Sequence, residues 1–385
     1  MSILSGSKST NIPPRDDGAP VNPDGKTSDN KPGLSVQAAI IGFGRLVNMA
    51  AAAGTLMMLA RLLDREHYGA VCQVIFLYML LSQIFAIGLP QSTYYFLPRY
   101  QGGEKRGFLY QTVLLLMLSG GLMGLGLLLS AHPLGRVLNS PLLPGLLQIF
   151  AIYPLFMLPA LAVEGTLLNA NRPLATVIFN ACTRLGMLCG LVIPTLLGCT
   201  LTRTLETWMV IAGVMWAIAL LLMFSTVRGL PFVWRRQMLR DEWKFSIPLA
   251  LVTLITILAS YVDRFFVSHF FGTAAFGIYS NATVEIPTVS MVTNATAVVL
   301  MAEFSRRTSV DEHGAIMPIW HSAMLKSAIV VFASLGFLAF WGTETMRILF
   351  SDKYAQSGGL FSIYVWLIPT AMLTTHALFI SLGAT

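Results

Sequence analysis

Seven ionisable side chains lie inside long apolar stretches of this 385-residue sequence: Arg45, Glu164, Arg184, Asp263, Arg264, Glu285 and Lys326. His321 and His376 are softer cases of the same kind. A charge placed there costs about 2.5–3.5 kcal/mol on insertion scales, so it usually faces a partner or a water-filled cavity. Four of the seven are cationic, and Arg presents a fork of donors that fits phosphate or carboxylate oxygens. The set therefore suits an anionic ligand, particularly a pyrophosphate.

Each candidate has a plainer alternative. Arg45 sits early in its stretch, within GFGRLVNMAAAAG, where small neighbours leave room for a ligand and snorkelling to the headgroups is the alternative. Arg184 lies about ten residues into its stretch, where snorkelling is harder. Asp263 and Arg264 point about 100° apart on a helix, so one can face a cavity while the other bonds a neighbouring helix. Glu285, two residues before Pro287, is a candidate proton or cation site beside a carbonyl that proline frees; a helix–helix hydrogen bond is the alternative. Glu164 reads as solvated by a loop, and Lys326 shares the snorkelling alternative. The motifs HExxH, GxxxxGK[ST] and GxSxG are absent, as is paired metal-ligand spacing, so neither an enzyme nor a cofactor is expected. Cys72, Cys182, Cys189 and Cys199 have no CxxC spacing and read as small buried residues.

The elements that position these residues follow from composition. Hydrophobic residues make up 55% of the chain and charged ones 11%, against roughly 25% charged in a soluble domain. With a mean hydropathy of +0.69, there is too little polar surface for a soluble fold. Apolar runs of about 20 residues predict an all-α, polytopic membrane protein. Ten spans are expected, near 37–60, 68–92, 108–130, 145–168, 174–197, 207–227, 246–268, 276–301, 319–341 and 358–382. Residues 1–36 are rich in Pro, Gly, Asp, Asn and Ser and read as a disordered tail. With the N-terminus inside, fifteen Lys and Arg fall in cytoplasmic segments and six in outer loops, which favours that orientation.

The chain also repeats itself. YGAV at Gly69 leads through Pro90 to a basic loop at Arg99, and GIYS at Gly277 leads through Pro287 to one at Arg306. The run from Ile149 to Pro154 is echoed between Ile363 and Pro369. Two halves of like orientation follow, related by an axis along the membrane normal. The expected domains are a first six-helix bundle at 37–227, a basic cytoplasmic linker at 228–245, and a second bundle at 246–385. Four helices in the second bundle against six in the first suggest a shortened twelve-helix protein.

At ARLLDREHYGAV, GLPQSTYYFLPRY, VDRFFVSHFFGTAAFGIYSNATVEIP and LFSDKYAQSGGLFSIYVWLIP, the chain resembles the polysaccharide (O-antigen type) flippases of the multidrug/oligosaccharidyl-lipid/polysaccharide exporter superfamily. The resemblance covers about residues 37–385. It implies two six-helix bundles around a central cavity in a bacterial inner membrane. It also implies alternating access that moves a polyprenyl-pyrophosphate-linked oligosaccharide to the outer leaflet for surface polysaccharide or lipopolysaccharide biosynthesis. Partners would be that lipid-linked oligosaccharide, membrane lipid, and a glycan polymerase with its chain-length machinery; nucleic acid is not expected. Carried onto this sequence, Arg45, Arg184, Arg264 and Lys326 would bind substrate, and Asp263 and Glu285 would couple an ion. A multidrug exporter of the same superfamily and a membrane-embedded glycan polymerase or ligase are the competing readings.

Overall fold

The computed structural model describes residues 34–371 apart from positions 285, 287–288, 294–295, 297–299, 301–303 and 305–315, with the side chains of 34–43, 45–46, 316 and 371 also left aside. Helix dominates throughout, and no strand occurs among the described residues. The early spans are α1 (Leu34–Leu62), a broken pair α2 (Arg65–Ala86) and α3 (Leu89–Phe96), and α4 (Gly103–Leu129). A short α5 (Ala131–Val137) precedes α6 (Leu143–Phe150), α7 (Tyr153–Ala160) and α8 (Val163–Asn169). Then come α9 (Pro173–Leu196) and α10 (Leu201–Ser225). After a linker, α11 (Arg236–Ala282) is followed by α12 (Ile316–Phe350), α13 (Ser357–Tyr364) and the short α14 (Ile368–Ala371). At about 1.5 Å per residue, the 27 residues of α4 or the 25 of α10 suffice to cross a bilayer.

Each expected span falls largely on helix in its described portion; that at 276–301 leaves helix after Ala282, at Thr283, Val284 and Ile286, and three others differ in detail. The span at 145–168 is not one helix but three pieces, with a bend of 54° between α6 and the α7–α8 stretch. Pro154 and Pro159 cause this, since each lacks an N–H and crowds the preceding turn. The expected 68–92 span is interrupted at Ile87 and Gly88, both with positive φ (49° and 67°), immediately before Pro90. The helix expected from 246 begins ten residues earlier, at Arg236, and reverses at Gly272 (φ 75°, ψ −172°). Residues 1–33 of the expected tail lie outside the described residues, and α1 begins at Leu34.

Packing at the bend explains two glycines. A Cβ on Gly124 would sit 2.1 Å from the Ala151 carbonyl oxygen, and one on Gly120 would sit 2.5 Å from that of Pro154. The GxxxG face of α4 thus lies directly on the backbone of the broken span. Apolar side chains also face outward: Leu251, Val252, Ile255, Leu258 and Phe270 of α11 are all exposed, as an apolar surrounding solvent allows.

The largest apolar cluster joins helices from both sides of the linker. It includes Tyr68, Val71, Val74 and Phe76 of α2, Leu147 and Phe150 of α6, Phe276 of α11, Met346 and Phe350 of α12, and Tyr354. A second cluster (Leu89, Phe108, Leu109, Val163, Leu167, Met223) lies wholly before the linker, toward the end of the bundle that the linker occupies. The sides of the chain are therefore joined mainly at the end opposite the linker.

Candidate functional site

At that far end the helices on the two sides of the linker come into close backbone contact. Gly69 of α2 and Gly277 of α11, the two landmarks of the sequence repeat, cross face to face. A Cβ on Gly277 would lie 3.2 Å from the Gly69 Cα, and one on Gly69 would lie 2.0 Å from the Thr273 carbonyl oxygen. Only glycine permits backbones to approach so closely. Around the crossing, the Tyr68 hydroxyl donates to Asn281 Oδ1, and its ring meets Tyr354 edge-on at 5.3 Å. Gln73 Nε2 donates to Ser268 Oγ at 2.8 Å and to the Leu138 carbonyl at 3.1 Å. Arg61 donates to the Ile348 carbonyl, and Lys353 Nζ to the carbonyls of Arg61 (3.2 Å) and Leu63 (3.5 Å). These carbonyls end α1, where a cation complements the helix dipole.

The candidate cations take different positions around this plug. Arg184 lies mid-way along α9 and is exposed, within electrostatic reach of the Tyr78 and Tyr153 hydroxyls. Tyr78 and Tyr153 meet at 4.8 Å, and Phe150 and Trp208 complete the aromatic cluster. Arg264 is half-buried on α11, 5.5 Å from the Tyr261 ring, and acts electrostatically on Cys72. Cys72 and Tyr78 lie on α2 about 9 Å apart along the axis, so the two guanidinia flank the same helix at different levels. Lys326 is exposed on α12, next to Ser327, whose hydroxyl meets that of Thr296 at 2.9 Å. Arg45 belongs to α1, but its side chain is outside the described residues.

Among the expected anions, Asp263 accepts a hydrogen bond from the Tyr279 hydroxyl at 2.5 Å, across the turn at Gly272. Glu285 lies outside the described residues, as does His376. Glu164 borders a small open pocket with Gly44, Asn48, Thr176 and Asn180. Three cysteines depart from expectation. Cys72 is buried, whereas Cys182 and Cys189 are exposed because apolar side chains on a membrane helix are free to face outward, and Cys199 is exposed in the connection between α9 and α10. No group of three or more His, Cys, Asp or Glu among the described residues has metal-binding geometry.

The sequence reading passed over Glu242, which is fully buried. Its Oε1 receives Ser92 Oγ of α3 at 2.8 Å and Thr112 Oγ1 of α4 at 2.6 Å. Its Oε2 receives Gln111 Nε2 at 2.6 Å. The linker is held on the same surface: Val233 N donates to the Gly103 carbonyl (3.2 Å), Arg106 to that of Leu230 (2.8 Å), and Arg235 pairs with Glu104 (3.0 Å). Polar residues at 92, 111 and 112, in otherwise apolar runs, were the available signal.

A family model described as polysaccharide biosynthesis protein matches residues 36–308. No curated protein sequence matches the chain. Among solved structures, it is similar to the lipid II flippase MurJ in an inward closed conformation, with a TM-score of 0.70 at 12% identity over 91% of this chain and 76% of that one. It is similar to an inward-facing multidrug resistance MATE family transporter of the MOP superfamily, with a TM-score of 0.67 at 16% identity over 91% and 84%. A MOP superfamily transporter from Pyrococcus furiosus gives 0.60 at 14% identity over 90% and 83%. At such identities these likenesses establish the fold alone, and the family match supplies the rest: the chain belongs to the polysaccharide biosynthesis protein family and, with several helices long and apolar enough to cross a bilayer, is a multi-pass membrane protein.

Proposed function

We propose that this chain moves a polyprenyl-pyrophosphate-linked oligosaccharide across a bacterial inner membrane by alternating access, for surface polysaccharide biosynthesis. The observation that carries the reading is the placement of two guanidinium groups, on Arg184 of α9 and Arg264 of α11, within electrostatic reach of α2 at two levels, near the close Gly69–Gly277 crossing. A lipid-linked pyrophosphate offers oxygens that match such donors, while its polyprenyl chain requires the apolar faces that α11 turns outward. In this reading Arg45 and Lys326 complete the substrate contacts, and Asp263 and Glu285 are the coupling candidates. Residues 37–227 and 246–385 are the moving halves. The N-terminus and the 228–245 linker lie in the cytoplasm, consistent with fifteen basic residues on that side against six on the other. The Gly69–Gly277 plug then closes the outer mouth, and the cytoplasmic mouth receives lipid-linked sugar from the enzymes that assemble it.

Support comes from the family match and from a fold shared with a lipid-linked-substrate flippase. The fold is equally that of multidrug transporters, so substrate chemistry must decide. The test is deletion of the full gene, followed by quantification of lipid-linked oligosaccharide on the cytoplasmic face. Accumulation there, reversed by the wild-type gene, is the expected result. Export of cationic dyes with surface glycan unchanged would overturn the proposal in favour of a multidrug exporter.

A further inference from the structure

Glu242 has a setting that the transport reading leaves unused. It stands four residues before the expected apolar span at 246, on the first turns of α11, and bonds only to helices that precede the linker. Its surroundings can be worked out proton by proton. Trp234 Nε1–H is a donor and nothing else, and it lies 2.7 Å from Gln111 Oε1. That contact fixes the Gln111 amide, so its Nε2–H must point at Glu242 Oε2. The other carboxylate oxygen faces two hydroxyls, and a hydroxyl donates or accepts as required.

Ser92 provides the alternative. Its Oγ lies 2.8 Å from Glu242 Oε1 and 2.7 Å from the Leu89 carbonyl oxygen, and its single proton serves one of them at a time. When Glu242 is ionised, Ser92 and Thr112 both donate to Oε1. When a proton from bulk solvent is added to Oε1, Ser92 turns its own proton to Leu89, and the new O–H donates to Ser92 Oγ. Every group stays bonded in both forms, and only one proton has been added. A carboxyl placed merely to staple helices has no need of this second arrangement.

Charged neighbours leave this choice to the cluster itself. α3 contributes no charged side chain, although its Tyr94 and Tyr95 are titratable. On α4, Glu104 is paired with Arg235, Arg106 is bonded to Leu230, and Lys105 lies on the same first turn, with Tyr110 beside Arg106. On α11 itself, Arg236, Arg240 and Lys244 are exposed and Asp241 accepts from Gln237 at 2.7 Å. Tyr100, in the turn before α4, is within electrostatic reach of Glu242. Only Gln111 and the exposed Trp234 form the shell on the linker side.

We propose that Glu242 is a proton-binding site, and that proton binding there loosens the hold of α3 and α4 on the start of α11. Ionised, the carboxylate receives three charge-assisted hydrogen bonds, each roughly twice as strong as its neutral counterpart. Protonated, it keeps the geometry with less strength, so the joint between the two sides of the linker yields more easily. The site is independent of the identity of the cargo; only its use in coupling rests on the transport reading.

The test uses the purified full-length chain in lipid and infrared difference spectroscopy without substrate. Wild type should develop the carbonyl band of a protonated carboxylic acid as pH falls, and Glu242→Gln should lack it. Gln111→Leu removes a donor that holds the ionised form more strongly than the protonated one, so the midpoint of the same band should move up by about one pH unit. A Glu242→Gln spectrum identical to wild type, or an unmoved midpoint in Gln111→Leu, would sink the proposal. Should Glu242→Gln fail to fold, the Gln111→Leu midpoint decides alone. Neither result touches the accumulation of lipid-linked oligosaccharide in the gene deletion, so the two readings fail separately.

Discussion

Replacing Gly69 with alanine adds one methyl group at one of the two tightest glycine–backbone contacts among the described residues. The new Cβ would sit 2.0 Å from the Thr273 carbonyl oxygen and 2.8 Å from its carbon, where ordinary contact begins near 3.4 Å. The obstacle is backbone rather than a flexible side chain, so α2 and α11 must part by about 1.4 Å. Overpacking of this kind costs about 1–3 kcal/mol. In an alternating-access cycle only the closed mouth carries that cost, so its population relative to the open state falls by about 5- to 150-fold. Cys72 reports the change, being buried one turn behind the crossing. In a chain with Cys182, Cys189 and Cys199 replaced by serine, maleimide should modify Cys72 at least about fivefold faster in Gly69→Ala than in Gly69. Gly277→Ala should act in the same direction but less, because its Cβ would meet the Gly69 Cα at 3.2 Å. Unchanged Cys72 modification in a monodisperse Gly69→Ala protein would refute the claim that this crossing closes the mouth.

Tyr68→Phe removes the donor to Asn281 and leaves a buried amide unbonded; a loss of about 1–3 kcal/mol should lower the thermal-shift midpoint. Adding Asn281→Leu should recover part of that loss, a non-additivity that independent sites would not show. Arg184→Ala should weaken transport of a pyrophosphate-linked substrate in proteoliposomes by roughly 10- to 150-fold in apparent affinity, with Arg184→Lys intermediate. Normal transport by both variants would remove Arg184 from the substrate contacts. Gly124→Ala forces a Cβ to 2.1 Å from the Ala151 carbonyl and should destabilise the purified protein without altering the charges along the spans, as heating curves would show.

What could be read in advance depended on how local the cause was. Long apolar runs need only a bilayer to become helices, so the positions of the spans were legible. Pro154 and Pro159 were visible as unusual residues, but the bend they make is accommodated by Gly120 and Gly124, which lie far away in sequence. Gly69 and Gly277 stood out as repeat landmarks; that they touch depends on how α2 and α11 pack, which residues 208 positions apart do not announce. Glu242 was hidden by its neighbours. In a run with Arg235, Arg236, Arg240 and Lys244 it looks like one more solvated charge, and only Ser92, Gln111 and Thr112 reveal otherwise. The cysteines misled for the opposite reason, since burial habits learned from water-soluble proteins lapse where the surroundings are apolar.

The described contacts across the far mouth are glycine backbone, amide, hydroxyl and ring contacts, with two basic side chains spent on carbonyl oxygens rather than on carboxylates. The glycine crossing itself carries no charge, whereas its rim carries Arg61, Lys353 and the pairs that Arg347 makes with Glu344 and Asp352. Salt therefore acts on the rim, through exposed charges that it screens, and leaves the backbone contact at the centre to packing alone.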